Sequence, residues 1–435
     1  LHLASRNIKI TTMPHLPLTV VAIGAGHRSV ICASYALKHP ERMKLVAVAE
    51  PNEHRRNALA DAHHVSHDMR FASYQELVAR PVLARAAING TMDGLHYDST
   101  NLLLDRGYDV LLEKPIAPTE REVRDLIEKA TRLKRIVMIC HVLRYAPFYA
   151  RLKSLIAAGE IGRITAIETR ECVAYHHVAA AFVRGRWNQR SVNPMLLSKC
   201  CHDLDIIAWL MSGVPALRVS SFGSRSFFRP ENAPAGSAER CLVGCCIEST
   251  CPYSACTNYI TQNLQPFYAF ESAEHMGELT LQQKLDSLKV SPMGRCVWHC
   301  DNDVVDRQTV AIEFADGTVG SHVLATGSAR GGRTIFVQGT TGELEGNAES
   351  GIIKLRKPRL EHGADHTEQT LDVNIAGGGD GHGGGDMLLV EDFVSVVNHE
   401  PTSAGATHIA DSLTGHLLAF AADRAMLKHS VESVA

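Results

Sequence analysis

The stretch LTVVAIGAGHRSVICASYALK, residues 18–38, decides how the rest of the chain is read. An apolar run of strand length, Leu18 to Ile23, ends in Gly24-Ala25-Gly26, and a helical pattern follows from Val30 to Lys38. Glycines at 24 and 26 let the backbone bend and come close to a pyrophosphate, whose charge then sits at a helix N-terminus. Ser29 stands where the usual fingerprint has a third glycine and is small enough for close helix–strand packing. A bare structural turn is the bland alternative, since glycines end many strands. Working outward, a second β-like run, Leu45 to Ala49, ends on Glu50, some two dozen residues past the turn. A carboxylate there accepts from ribose hydroxyls and repels a 2′-phosphate. Arg55 and Arg56 follow closely and soften that preference, so the expected cofactor is NAD, with NADP as the alternative.

Further short strands are read at Ala86–Ile88, Val110–Leu112 and Ile136–Ile139, with helical stretches between them at residues 95–106 and 120–133. Such alternation predicts a doubly wound parallel sheet with helices on both faces. Residues 18–142 are therefore expected to form a dinucleotide-binding Rossmann domain and 143–435 a second, substrate-binding domain. Leu1–Pro17 lacks the apolar core of a secretory signal and reads as a leader or disordered end, with Met13 a candidate start.

Composition narrows the function classes. A chain of 435 residues is long for one hydrophobic core, and its 45% apolar and 21% charged content is that of a globular enzyme. A net charge of -3 gives no basic footprint, so nucleic acid is not an expected partner. No apolar run reaches the roughly 18 residues of a membrane span. Twelve cysteines in so long a chain argue for thiols in a reducing, cytoplasmic compartment rather than a disulfide scaffold.

Several motifs together resemble one family. DVLLEKPIAPTEREVRDLIEKA (residues 109–130) resembles the Gfo/Idh/MocA oxidoreductases, whose fifth Rossmann strand ends in Glu-Lys-Pro. HVLRYAPFYARLKSLIAAGEIGRI (141–164) resembles the linker into their second domain, CCHDLDIIAWLMSG (200–213) its helix, and GTTGELEG (339–346) its late hairpin. The resemblance skips roughly Ser226 to Ser291. It implies a C-terminal α+β domain with a large, mostly antiparallel open sheet whose face forms the substrate site. It also implies roles for Lys114, His96 and His202. The candidate cofactor-binding set is Gly24, Gly26, His27, Arg28, Ser29, Glu50, Asn89, His96, Glu113 and Lys114.

Hydride transfer from a carbinol carbon needs a base for the hydroxyl proton, or an acid in reverse. Lys114 sits at a strand's C-terminal end, where open parallel sheets bind ligands, and partial burial is expected to lower its pKa. His202 is the expected proton-transfer residue. Ser198, His202 and Asp205 are spaced to share one helix face, while Asp203 faces elsewhere and suits a salt bridge. The resembled family usually has an aspartate where Ser198 stands, so the ordinary proton relay is in doubt here. Lys199 offers a second cation instead. Arg144, Arg184, Trp187, Lys199, Asp205 and His382 form the candidate substrate-binding set, with HCDNDVVDRQ (299–308) as a further polar segment. In GGGDGHGGGD (377–386), Asp386 is expected to N-cap the following helix.

Cys241, Cys245, Cys246, Cys251 and Cys256 crowd into ERCLVGCCIESTCPYSAC (239–256), within an expected insertion at about 229–258. Closely spaced thiols suit a structural zinc held by Cys241, Cys245 and Cys251, free thiols, or disulfides. The functional expectation is an NAD(P)-dependent oxidoreductase acting on a sugar, cyclitol or similar small polyol, as a homodimer or higher homo-oligomer. The alternatives are a redox-neutral enzyme that oxidises, eliminates and re-reduces, and a carbonyl or imine reductase of natural products.

Overall fold

The computed structural model describes residues 16–359, 363–373 and 382–434. The expected leader lies almost wholly outside these residues, as do positions 377–381 of the glycine-rich run. The first sheet holds β1 (Leu18–Ile23), β2 (Met43–Ala49), β3 (Arg70–Phe71), β4 (Ala86–Asn89), β5 (Asp109–Leu112) and β6 (Val137–Ile139). Their order is β3-β2-β1-β4-β5-β6 and every pair is parallel. All residues of β4 and β5 are buried, which is why these strands read as unbroken apolar runs rather than alternating ones. The order reverses between β1 and β4, and ligands bind outside the strand ends at such a switch point.

The second sheet has nine strands: β7 (Ile164–Ala174), β8 (Ala216–Ser224), β9 (Arg307–Phe314), β10 (Val319–Ser328), β11 (Gly332–Gly339), β12 (Glu343–Asn347), β13 (Ile352–Pro358), β14 (His366–Asp372) and β15 (Val431–Ser433). They lie in the order β14-β13-β12-β11-β7-β10-β9-β8-β15; only β7 and β10 pair in parallel. In β9 buried Gln308, Val310, Ile312 and Phe314 alternate with outward residues, the mark of a sheet with one covered face. Helices Cys201–Leu210 and Leu413–Lys428 supply residues to the core shared with that face.

Two features were not legible from local pattern. Helix Gly385–Val397 packs Leu389, Phe393 and Val394 with Val20, Cys32, Ala33 and Met138 of the first unit, and Met138 bridges to His408. The N-terminal unit is thus completed by residues from the far end of the chain. Asp386 does not cap this helix: Gly384, at φ +89°, holds the N-cap position and Asp386 lies buried in the first turn. The segment between β8 and β9 is larger than the cysteine-rich stretch and builds its own small core from Cys241, Ala255, Tyr259, Phe270 and Leu288. Among the described residues no helix is long and apolar enough to cross a membrane. Because Phe393 is fully buried where the chain returns to the first sheet, Phe393→Ala should cost about 3–5 kcal/mol. Urea unfolding followed by NADH fluorescence checks this, because the loss should appear in the unit that carries the glycine turn.

Candidate active site

The glycine turn has the form an anionic ligand needs. Gly24 adopts φ +83°, and a Cβ there would meet the Gly90 carbonyl oxygen at 2.7 Å, so only glycine fits without strain. A Cβ on Gly26 would meet nothing within 4 Å. The space beside Gly26 is an open cradle at the head of helix His27–Lys38, which carries no side-chain cap and no acid in its first turn. Backbone N–H groups there are free to bind phosphate oxygens. Ser29 is fully buried, and a Cβ on Gly90 would lie 2.2 Å from its Oγ, so both positions demand small residues.

Glu50 anchors this turn. Its Oε2 accepts from the Ala25 N–H at 2.7 Å and its Oε1 from the Asn52 N–H at 2.8 Å. Arg55 and Arg56, expected to soften its preference against a 2′-phosphate, are engaged elsewhere. Arg55 pairs with Glu271 and Glu274 of the inserted segment, and Arg56 donates to the Glu50 carbonyl at 2.6 Å. These residues fit NAD.

Others of the expected cofactor set hold the site together. Arg28 binds Glu113 at 2.8 Å and Asp386 at 2.5 Å. Asn89, fully buried, donates to Ser99 and Thr100. His96 lies between the carbonyls of Pro115 (2.6 Å) and Thr91 (3.1 Å), tying together the loops after β5 and β4. The His27 ring packs on Phe267 of the insertion, 4.7 Å between centroids.

Lys114 and His202 meet beyond the end of β5. Lys114 Nζ donates to the Ser198 carbonyl at 3.1 Å, at a break in the chain's helical course. Met195–Ser198 and Cys201–Leu210 are separate helices, so the expected single face of Ser198, His202 and Asp205 does not form as one stripe. The expected direction of the Lys114 shift is also overturned. Burial opposes its charge, but Cys201, Asp93 and Glu113 outweigh that and raise its pKa above 10.5. His202 goes the other way: burial, Lys114, His141 and His382 hold it well below the ordinary imidazole value. The pair therefore presents a cation beside a neutral ring.

The wall around them comes partly from residues without a sequence signal. Asp93 accepts from Trp187 Nε1 at 2.9 Å and from Asn193 Nδ2 at 2.7 Å. Tyr268 packs against Trp187 and His177, with centroids 6.0 and 6.3 Å away. His382 does reach the site, its ring 5.9 Å from that of His202 and its Nδ1 3.0 Å from Asp386. Asp93 follows a strand end, the one hint that could have marked it; Tyr268 lies in an aperiodic insertion and offered none.

Four members of the expected substrate set are taken up by internal partners. Arg144 and Asp205 form a buried bidentate pair at 2.7 and 2.6 Å. Arg184 is 2% exposed and donates to Arg295 and Tyr253 carbonyls, the Tyr259 hydroxyl and Cys241 Sγ, so it anchors the insertion instead of meeting a ligand. Lys199 pairs with Glu171 at 3.0 Å. Asp203 pairs with Arg333 at 2.9 Å, in keeping with the salt bridge expected of it. In the 299–308 segment, Asp303 and Asp306 accept backbone N–H groups of Arg190 and of Ser226–Phe228, so much of its polarity fastens loops.

All twelve cysteines are free thiols. Cys241, Cys245, Cys251 and Cys296 line one small cavity. They do not converge as a zinc site would require: among the described residues, three ligand atoms lie within 4.8 Å of one another only at Cys32–Glu113–Cys140 and Cys200–Asp203–His322. In each set the carboxylate is already committed to an ion pair, Glu113 with Arg28 and Asp203 with Arg333.

With this geometry in view, comparison with known proteins decides the family. The Gfo/Idh/MocA oxidoreductase family matches in both parts, its NAD-binding Rossmann fold over residues 18–141 and its C-terminal alpha/beta domain over 153–410. The chain belongs to this family. The putative oxidoreductase YteT of Bacillus subtilis is 24% identical over 293 residues, 66% of either protein. A D-xylose 1-dehydrogenase (NADP(+)) of Hypocrea jecorina is 30% identical over 142 residues, 32% of this chain and 36% of that protein. The chain thus spans about two thirds or less of these curated relatives. Two solved structures share the fold across both chains. Levoglucosan dehydrogenase with NADH and levoglucosan gives a TM-score of 0.68 at 18% identity, covering 96% of this chain and 99% of that one. An inositol dehydrogenase homolog of Azotobacter vinelandii, with NADH and myo-inositol, gives 0.65 at 15%, covering 96% and 98%.

The internal use of Arg144 and Asp205 has a measurable consequence. Arg144→Met should destabilise the protein by about 3–5 kcal/mol, because a buried carboxylate loses its partner. A denaturation midpoint unchanged from wild type, with weakened substrate binding, would return the pair to the substrate site.

Proposed function

We propose that this chain transfers a hydride between NAD(H) and the hydroxyl or carbonyl carbon of a sugar, cyclitol or similar small polyol. The observation that carries the reading is a cationic Lys114 that bonds to the Ser198 carbonyl and lies near enough to act on a neutral His202. Lys114 is next in the chain to Glu113, which Arg28 ties to the helix after the glycine turn. The bound dinucleotide supplies the hydride acceptor or donor. Lys114 hydrogen-bonds the reacting oxygen and stabilises negative charge developing on it. His202, neutral at rest, accepts the hydroxyl proton in oxidation and returns it in reduction. The aromatic wall of Trp187, Tyr268 and His177 suits the apolar face of a sugar ring, with Asp93 and His382 placed for its hydroxyls. The named substrates of the relatives and of the two solved structures belong to the same chemical class.

In a redox-neutral route a ketone intermediate loses its neighbouring proton, and a free Lys199 is the cation that would stabilise the resulting enolate. Its ion pair with Glu171 removes that support. We also propose a homodimer or higher homo-oligomer, with the half-exposed face of the second sheet around Val323, Phe336 and Thr334 as the joining surface; light scattering reads the state directly.

Two measurements test the assignment. Titrated by fluorescence, NADH should bind more tightly than NADPH, and Glu50→Ala should narrow the gap. Equal affinities in the wild type would remove the role given to Glu50. On an accepted polyol under excess NAD, NADH should accumulate stoichiometrically, and Lys114→Ala and His202→Ala should each lower turnover roughly 10²- to 10⁴-fold. Product without NADH, with deuterium from heavy water entering beside the oxidised carbon, would establish the elimination route instead.

A further inference from the structure

A proton accepted by His202 must leave through its second ring nitrogen, and nothing described so far receives it. Position 198 offers a serine whose buried Oγ has no hydrogen-bond partner, and His202 Nδ1 has none either. The ring nearest to His202 on the buried side is His141, edge to face at a centroid distance of 5.6 Å and an interplanar angle of 80°. His141 is fully buried and neither of its ring nitrogens has a partner. Buried polar atoms are almost always satisfied, and an imidazole with both nitrogens open beside another open nitrogen marks a place where a bond is made in use. On its far side His141 Nε2 stands 3.8 Å from Asp205 Oδ1, the carboxylate that Arg144 grips. A third ring, His416, lies 5.4 Å away, but its nitrogens are engaged, one accepting from the Ile116 N–H and one against the Ser412 carbonyl, both at 3.0 Å. The open path therefore runs from His202 to His141 and stops there.

We propose that His141 is a positioning residue that takes the place of the missing acid at 198, binding His202 Nδ1 and receiving its proton as the substrate is oxidised. This rests on the reading of His202 as proton acceptor. The balance is complete. The C–H electron pair passes to the cofactor as hydride, and the O–H proton bonds to His202 Nε2. The Nδ1–H bond of His202 breaks as an N–H bond forms on His141. His202 ends neutral in its other tautomer, and the charge rests on His141 near Asp205. Two imidazoles joined by an N–H···N bond have centroids roughly 5 Å apart, so a small ring movement closes the bond. Catalytic hydrogen bonds often tighten in this way when substrate binds. The groups facing His141 are His202, His416, Arg144, Lys114 and Asp205. Burial, Arg144 and Lys114 hold it well below the ordinary imidazole value, so it is neutral at rest, and Asp205 is the facing group that favours the charge it would receive.

His141→Phe keeps the ring's bulk and removes both nitrogens. With NADH affinity within about twofold of wild type, kcat on an accepted polyol should fall roughly 10- to 100-fold while KM moves less than about threefold. The acid limb of the kcat–pH profile should shift, and adding Ser198→Asp should restore most of the loss. Independently of turnover, ¹⁵N-histidine spectra of the NADH complex should show the His202 Nδ1 resonance displaced in His141→Phe. Should that variant fail to bind NADH, His141→Leu takes its place in both measurements with the same expectations. An unmoved His202 resonance, or full kcat in His141→Phe while His202→Ala is inactive, overturns the proposal and leaves the assignment of His202 intact. Full turnover in His202→Ala overturns that assignment itself.

Discussion

A single guanidinium joins three segments that the sequence keeps far apart. Arg28, in the first turn of the helix that follows the glycine turn, binds Glu113 at the end of β5 and Asp386 in the helix that returns from the C-terminus. Asp386 is fully buried and Glu113 nearly so. Burial would favour the protonated form of each, but at Glu113 the charges of Arg28 and Lys114 prevail, and at Asp386 the contacts with His382 and Arg28 do. Charge-assisted bonds of this kind in a poorly solvated place are strong and directional. Without them the glycine turn, the Glu-Lys-Pro strand end and the His382 segment would have no common fixed point. Lys114 is the next residue after Glu113, so its placement follows from the same clamp.

The inserted segment between β8 and β9 completes what the clamp begins. Much of it lies outside helix and strand, and it is held by Arg184, a buried cation from the stretch between β7 and β8, which donates to its Arg295 and Tyr253 carbonyls and to the Tyr259 hydroxyl. That anchoring lets a loop-rich segment stay compact beside the site. Its edge then reaches back to the Rossmann unit through Phe267 on His27 and through Glu271 and Glu274 on Arg55, while Glu271 also pairs with Arg186 of the second unit. This segment, which carries none of the motifs that mark the family, thus forms part of the wall of the proposed substrate site, where a change of substrate would be expected to leave its mark.

Charges at the heart of the second unit are arranged in compensated sets. Glu171 and Asp203 face Arg333, with Lys199 on the other oxygen of Glu171. Arg144 closes on Asp205 below. These pairs fix the helix that carries His202 between the sheet and the Rossmann unit, and they leave His202 Nδ1 and both His141 nitrogens, with Ser198 Oγ and His322 Nε2, among the buried atoms without hydrogen-bond partners. Where neighbouring charges are mutually satisfied, the unsatisfied atoms are the ones available for chemistry.

The sequence by itself determined the Rossmann topology and the glycine turn followed by Glu50, and it offered Lys114 and His202 as the proposed chemical centre. These are local matters: apolar strand runs, φ > 0 at Gly24 and residue types tied to motifs, all of which act within a few residues of chain. It did not show the internal partners of Arg144, Asp205, Arg184 and Lys199, because a charged side chain near a motif has the same local signature whether it faces a ligand or an internal partner. Only the tertiary structure decided that, since an ion pair such as Arg144–Asp205 spans 61 positions and forms through packing that no local pattern encodes. The same reason hid Asp93, Tyr268 and the return of residues 385–409 to the first sheet, and it hid His141. That residue reads as an ordinary linker histidine until the fold sets its ring against His202.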